Sequence, residues 1–455
     1  DGVLISRHPI YFSRPMTYKE TTEYLFNQMP MFERQGASGY KEGLYNTLML
    51  DAHFNHPHRH YKTIHVAGTN GKGSCSHTMA AFFQACGYKV GLYTSPHLKD
   101  FRERIRINGM PISEEYVVKF VEDERNFFEP LHPSFFEVTT AMAFKYFRDE
   151  HVDIAIIEVG LGGRLDCTNI ITPELSIITN ISFDHTQFLG NTLAQIAREK
   201  AGIIKDGVPV VVGEYNTETR PVFEEVAKSH GSAIIFAADE QEVVAAQPLN
   251  NGGMMYKTKH FVELVGDLSG LYQIKNANTV LTAIRVLSES GQYPQLDANT
   301  NPNMIVAHAR DAFKQVAAST GLMGRWQTVS TNPLVICDTG HNVGGWKYLS
   351  EQLKRVDCRS KRIVFGMVND KDIDGVLELL PKDAVYYFTK ANTKRALSEI
   401  ELQKMAIRHG LVGNTYPTVK QAYEEAKQSA SQADLIFVGG SSYVVADFLC
   451  AFSCF

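Results

Sequence analysis

Ten residues near the start of the chain, HVAGTNGKGS at 65–74, have the make-up of a phosphate site. Three glycines (Gly68, Gly71, Gly73) surround Lys72, and an apolar run ends just before them at Ala67. Glycines let backbone N–H groups close around phosphate oxygens, a helix N-terminus adds partial positive charge, and a lysine adds a full one. The spacing departs from the ordinary G-x-x-x-x-G-K-[ST]. Val66 stands where the first glycine belongs, and Gly73 intervenes before Ser74. The strand–turn–helix context still predicts a phosphate-binding loop.

Other groups suited to nucleotide chemistry follow. Glu158 closes the apolar run DIAIIEV, where α/β sheets place ligand groups, and a carboxylate there can hold Mg²⁺ beside phosphates. An ordinary strand-end acid is an equal reading on local grounds. The adjoining GLGGRLD, with Arg164 and Asp166, favours a site. His185, in NISFDHTQFLG, is expected on the same strand-end edge, with a metal or phosphate role. TSPHL at 94–98 is either a rigid loop over that edge or a plain turn. Lys200 reads, from spacing alone, as a solvated helix lysine. The histidine-rich HFNHPHRH at 53–60 matches no standard zinc spacing and contains Pro57, so a solvated loop is expected. In the second half, Arg325 in GRWQ can neutralise a phosphate. Asp338 in ICDTGHNVGG can accept from a ribose hydroxyl, or Asp338 and Asn342 can simply cap the next helix.

These groups need a frame, and short apolar runs alternating with helical patterns supply one. Strands are expected at 62–67, 89–94, 153–159, 174–181 and 208–213, with helices near 74–86, 114–128, 137–149, 192–204 and 276–290. A second series places strands at 334–337, 362–366, 384–388 and 435–440. Near-continuous β-branched runs mark buried parallel strands, so the fold class is doubly wound α/β. The polar stretch 291–303 reads as a loop. A boundary near 321–323 divides a domain at 16–322 from a smaller one at 323–455.

Composition narrows the class. The chain has 455 residues, 44% of them hydrophobic and 21% charged, which is enough to bury its own cores. A formal net charge of −5 argues against a nucleic-acid protein reliant on a broad basic face. No run of 18 apolar residues suggests a membrane span. Seven cysteines, odd in number and without C-x-x-C, read as reduced thiols of a cytoplasmic protein. Residues 1–15 lack the pattern of a secretory signal and are set aside as a leader, Met16 being a natural first residue.

Taken together, GTNGKGS (68–74), TSPHL (94–98), FFEVTTAMAF (135–144), EVGLGGRLDCTN (158–169), DHTQFLG (184–190), REKAGI (198–203), GRWQ (324–327) and DTGHN (338–342) resemble the folylpolyglutamate synthase and dihydrofolate synthase family of the Mur ligase superfamily. The resemblance implies a P-loop ATPase domain, a smaller Rossmann-like domain, and an active site in the cleft between them. It implies ATP contacts from Thr69, Asn70, Gly71, Lys72, Gly73, Ser74, Asn276, Arg325, Asp338 and His341. It implies two Mg²⁺ held through Ser95, Glu158, His185 and Lys200, with Lys200 carbamylated, which reverses its reading as a solvated lysine. It leaves room for a monovalent cation. Lys72, His185 and Lys200 would be catalytic. Ser134, Phe135, Phe136, Glu137, Leu165, Asp166 and Cys167 would form the pterin pocket, with Cys167 where alanine is expected. The implied reaction joins L-glutamate to folates and to 7,8-dihydropteroate through an acyl phosphate, in a cytoplasmic monomer without nucleic-acid or membrane partners. A Mur-type ligase for another carboxylate and a nucleotide-driven switch are the competing readings.

Overall fold

The computed structural model describes residues 14–30, 43–249, 252–291, 293 and 302–452. The first thirteen residues, most of the 291–303 stretch and Cys454 lie outside the described residues.

The first eight strands are β1 (Lys62–Ala67), β2 (Val90–Tyr93), β3 (Ile105–Ile107), β4 (Met110–Pro111), β5 (Ile154–Glu158), β6 (Leu175–Ile178), β7 (Val210–Val212) and β8 (Ile234–Phe236). They form one sheet in the order β4-β3-β2-β5-β1-β6-β7-β8. Six run parallel, while β3 and β4 fold back as an antiparallel edge. β5 is buried along its whole length because both faces of the sheet are covered. Its alternate side chains enter different cores. Ile154 and Ile156 meet Met79 and Phe82 of helix Lys72–Ala85 and Ile284 of helix Gln273–Glu289. Ala155 and Ile157 meet Phe120 and Phe144 of helices Glu114–Phe128 and Phe135–Asp149.

Three short strands, β9 (Val243–Pro248), β10 (Met254–Thr258) and β11 (Glu263–Gly266), form a small antiparallel sheet beside this domain. The second large sheet contains β12 (Gln327–Thr331), β13 (Leu334–Asp338), β14 (Lys361–Phe365), β15 (Ala384–Thr389), β16 (Val412–Tyr416) and β17 (Leu435–Gly439). Its order is β12-β13-β17-β14-β15-β16, parallel except for β12. Residues just past the ends of β1, β2, β5 and β6, and of β13 and β17, all line one cleft between the two large sheets. That is where open α/β sheets bind ligands. Among the described residues, no helix is long and apolar enough to cross a membrane.

Candidate active site

The glycine loop joins strand Lys62–Ala67 to helix Lys72–Ala85, the strand–turn–helix context that the sequence suggests. Gly71 caps helix Lys72–Ala85 with φ +86°, a left-handed conformation that side chains rarely adopt. A Cβ there would also stand 2.3 Å from Oδ1 of Asn276. Lys72 begins the helix, and its ammonium donates to the loop's own carbonyls, Gly68 O at 3.0 Å and Thr69 O at 3.2 Å. Burial pulls the Lys72 amine below its usual range, against the charges of Glu158, Asp184 and Asp166. The loop is pinned from β6's end: Asn70 N donates to Asn180 Oδ1 at 3.0 Å, and Ser182 N to Thr69 Oγ1 at 3.1 Å.

The cleft has a volume of about 360 Å³. It brings together every predicted site residue except Glu137: the glycine loop with Asn276, Arg325, Asp338 and His341; Ser95, Glu158, His185 and Lys200; and Ser134, Phe135, Phe136, Leu165, Asp166 and Cys167. Glu137 does not line the cleft, although its neighbours Ser134, Phe135 and Phe136 do. It is buried, and its carboxylate closes the capping box of helix Phe135–Asp149, accepting from Ser134 N at 2.6 Å and from Asn46 at 3.4 Å. Phe136 itself lies against Gly160, where a Cβ would come 2.5 Å from the ring.

Glu158 is buried at the end of β5, with Oε2 accepting from Ser95 N at 3.1 Å. Burial raises its pKa, while Lys72, the Ser95 amide and Arg325 oppose the rise. His185 sits at φ +50°, and burial drives its imidazole down to about 3, so it is neutral near pH 7. Lys200 is buried on helix Leu193–Ala201, and burial, then the nearby Lys72 charge, lowers it to about 7. Asp166 is spent on its turn: it accepts from Leu161 N at 2.8 Å and Thr168 N at 3.0 Å, although it still lines the cleft. Burial pushes the Cys167 thiol well up, so it stays protonated there.

From the second sheet, Asp338 accepts from Tyr272 Oη at 2.6 Å, Trp326 N at 2.7 Å and Gly340 N at 2.8 Å. It therefore shapes the turn that carries Arg325, whose guanidinium donates to Thr339 Oγ1 and to Gly324 O at 3.2 Å. Asn276 donates to Gln273 at 2.8 Å, and Gln273 donates to Ser74 Oγ at 3.2 Å.

Sequence reasoning missed Asp184 and Lys371. Burial favours protonating Asp184, yet His341, His185 and Lys371 hold it well below the usual carboxylate range. Its carboxylate takes the Lys371 ammonium, Asn342 Nδ2 at 3.0 Å and His341 Nε2 at 3.3 Å. Lys371 also lies 3.4 Å from His185 Nε2. Asp184 was visible within DHTQFLG, whereas Lys371 in NDKDID gave no local signal because its partner lies in the other domain.

The donors suit a divalent cation. Glu158 offers a buried carboxylate and His185 a neutral imidazole, a hard oxygen beside a borderline nitrogen. A glycine loop at a strand end, a strand-end acid and a second parallel sheet across one cleft define a two-domain, nucleotide-dependent ligase of the Mur type. Residues 66–284 match the Mur ligase middle domain, and residues 324–442 match the Mur ligase glutamate ligase domain.

The dihydrofolate synthase/folylpolyglutamate synthase of Bacillus subtilis is 32% identical over 422 residues, covering 90% of this chain and 94% of that one. The structure of E. coli FolC in complex with DHPP and ADP is 29% identical with a TM-score of 0.79, over 96% of this chain and 98% of that one. The Yersinia pestis bifunctional folylpolyglutamate synthase/dihydrofolate synthase, complexed with AMPPNP and Mn ion, is 30% identical with a TM-score of 0.77, over 96% and 98%. The chain belongs to the folylpolyglutamate synthase/dihydrofolate synthase family.

Proposed function

We propose that this chain joins L-glutamate to folates and to 7,8-dihydropteroate, using ATP and an acyl-phosphate intermediate, within domains 16–322 and 323–455. The observation that carries the reading is the single cleft in which the Lys72 loop, Glu158, His185 and Lys200 face Arg325 and His341, next to the aromatic wall of Phe135 and Phe136. A carboxylate does not condense with an amine at neutral pH because its oxygen is a poor leaving group. Transfer of the γ-phosphoryl group to that oxygen makes phosphate the leaving group. The glutamate α-amine then attacks the acyl carbon, and phosphate departs as the tetrahedral intermediate collapses.

In this reading the N–H groups of residues 69–74 and the Lys72 ammonium bind the triphosphate, and Arg325 and His341 reach it from the second domain. Ser95, Glu158, His185 and a carbamylated Lys200 would hold divalent metal, two Mg²⁺ in the full set, which supplies charge neutralisation at the transferring phosphoryl group. A Lys200 amine lowered to about 7 supports carbamate formation, since the neutral amine attacks carbon dioxide. Ser134, Leu165, Asp166 and Cys167 complete the pterin wall in this reading. Closure of the cleft excludes water from the acyl phosphate. Unpaired cysteines among the described residues support a reducing, cytoplasmic setting. Mass spectrometry of products from dihydropteroate and from tetrahydrofolate, each with ATP and L-glutamate, tests the function. A one-glutamate mass gain on each supports the dual activity; no gain on either refutes it.

A further inference from the structure

The stretch HFNHPHRH is only in part the solvated loop that its spacing suggests: His53, Asn55, Arg59 and His60 are exposed, while Phe54 and Pro57 are buried. Helix Tyr45–His53 ends there, and Pro57–His60 form a 3₁₀ turn leading into β1. Between them the chain reverses through Asn55 (φ +58°) and His56 (φ +51°). The reversal carries two imidazoles back to Asp51. His56 Nδ1 lies 2.5 Å from Asp51 Oδ2, and His58 Nε2 lies 3.4 Å from Asp51 Oδ1. One ligand atom from each residue falls within a 4.8 Å cluster.

Two observations separate this trio from a surface ion pair. Asp51 is only 6% exposed, and its Oδ1 is buried and makes no well-formed hydrogen bond, His58 Nε2 approaching it only to 3.4 Å. Among the described residues, no lysine or arginine pairs with Asp51. A buried carboxylate is costly unless a cation balances it, and an imidazole balances it only when protonated. A metal ion balances it with both imidazoles neutral.

We propose that Asp51, His56 and His58 form a binding site for one zinc-class divalent cation, outside the catalytic cleft. Two imidazoles and a carboxylate favour a zinc-class ion over Mg²⁺ or Ca²⁺, which prefer all-oxygen sets. Bonds of about 2.0–2.1 Å at tetrahedral angles put ligand atoms roughly 3.3 Å apart. The 3.4 Å between His58 and Asp51 already fits that spacing. His56 supplies the remaining adjustment, because its side chain is 38% exposed and opens the site to solvent and incoming metal. The bound ion would fasten the end of helix Tyr45–His53 to the turn that enters β1, the strand whose far end carries the phosphate loop.

Zn²⁺ binding to the full chain, measured by competition with a chromophoric chelator, tests this. One equivalent should remain in Glu158→Gln, which weakens the cleft's own donor set. That equivalent should bind at least about tenfold more weakly in His56→Gln and in His58→Gln. His53→Gln, whose ring pairs with Glu124 at 2.8 Å instead, should retain it. Circular dichroism verifies folding, and the exposed His56 makes His56→Gln the variant that leaves the core untouched. Absence of bound Zn²⁺, its loss in Glu158→Gln alone, or affinity unchanged in both His56→Gln and His58→Gln overturns the proposal.

Discussion

Asn70 and Asn342, 272 positions apart, exchange two hydrogen bonds, each amide donating to the other's carbonyl oxygen at 3.1 and 3.0 Å. Asn70 belongs to the glycine loop. Asn342 caps helix Val343–Arg355 of the second sheet by accepting from Gly345 N at 2.8 Å. The pair therefore ties the glycine loop directly to the opposite wall of the cleft. Asn70→Ala and Asn342→Ala should each raise the KM for ATP and increase hydrolysis uncoupled from ligation, because the cleft admits water more readily. A double-mutant cycle on KM should show coupling of about 1 kcal/mol. Strictly additive effects would mean that the bonds do not act as a latch.

Lys200 makes the pH response specific. Its folded pKa is about 7 against a usual 10.5, so the unfolded chain binds more protons between those values, and the Lys200 contribution to stability rises with pH across that window. Below about pH 7 the amine is protonated and cannot take up carbon dioxide. Activity should therefore fall as pH drops through 7 and respond to bicarbonate near that pH. Lys200→Ala should lower turnover and abolish the bicarbonate response. Undiminished activity in Lys200→Ala would remove the residue from the mechanism.

Arg325 is positioned by its bonds to Thr339 and Gly324, on a turn that Asp338 shapes. Arg325→Ala should raise the KM for ATP by about tenfold, the loss of one charge-assisted contact, with a smaller effect on the KM for the pterin substrate. Isothermal titration with a nonhydrolysable ATP analogue separates binding from turnover.

Lys371 balances Asp184 across the cleft. Asp184 contributes stability above its unfolded pKa of about 3.8, and that contribution is lost as pH falls through its lower folded value. Lys371→Met should move the folded value upward, so acid unfolding begins at a higher pH than in the parent chain. An unchanged acid limb in pH-dependent denaturation would show that the ion pair adds nothing.

Local sequence was informative where one element carries its own signal. β1, β5 and helix Glu114–Phe128 follow directly from apolar runs and helical spacing. β9 to β11 were missed because they are short and partly exposed, with Pro248 ending one of them and little apolar contrast. At the site, the glycine loop and Glu158 were legible because strand-end chemistry is local. Lys371 and the tie between Asn70 and Asn342 were not, since each depends on a partner distant in sequence. The contacts of His56 and His58 with Asp51 were hidden for a similar reason: Asp51 sits on the preceding helix, outside the stretch HFNHPHRH.

The most direct test follows oxygen. Dihydropteroate labelled with ¹⁸O in its carboxylate is incubated with the chain, ATP and L-glutamate, and the released phosphate is weighed. Formation of dihydrofolate with one ¹⁸O per phosphate is expected, and Lys72→Ala should yield neither. Dihydrofolate accompanied by unlabelled phosphate, or ATP hydrolysis indifferent to both pterin and glutamate, would contradict the account.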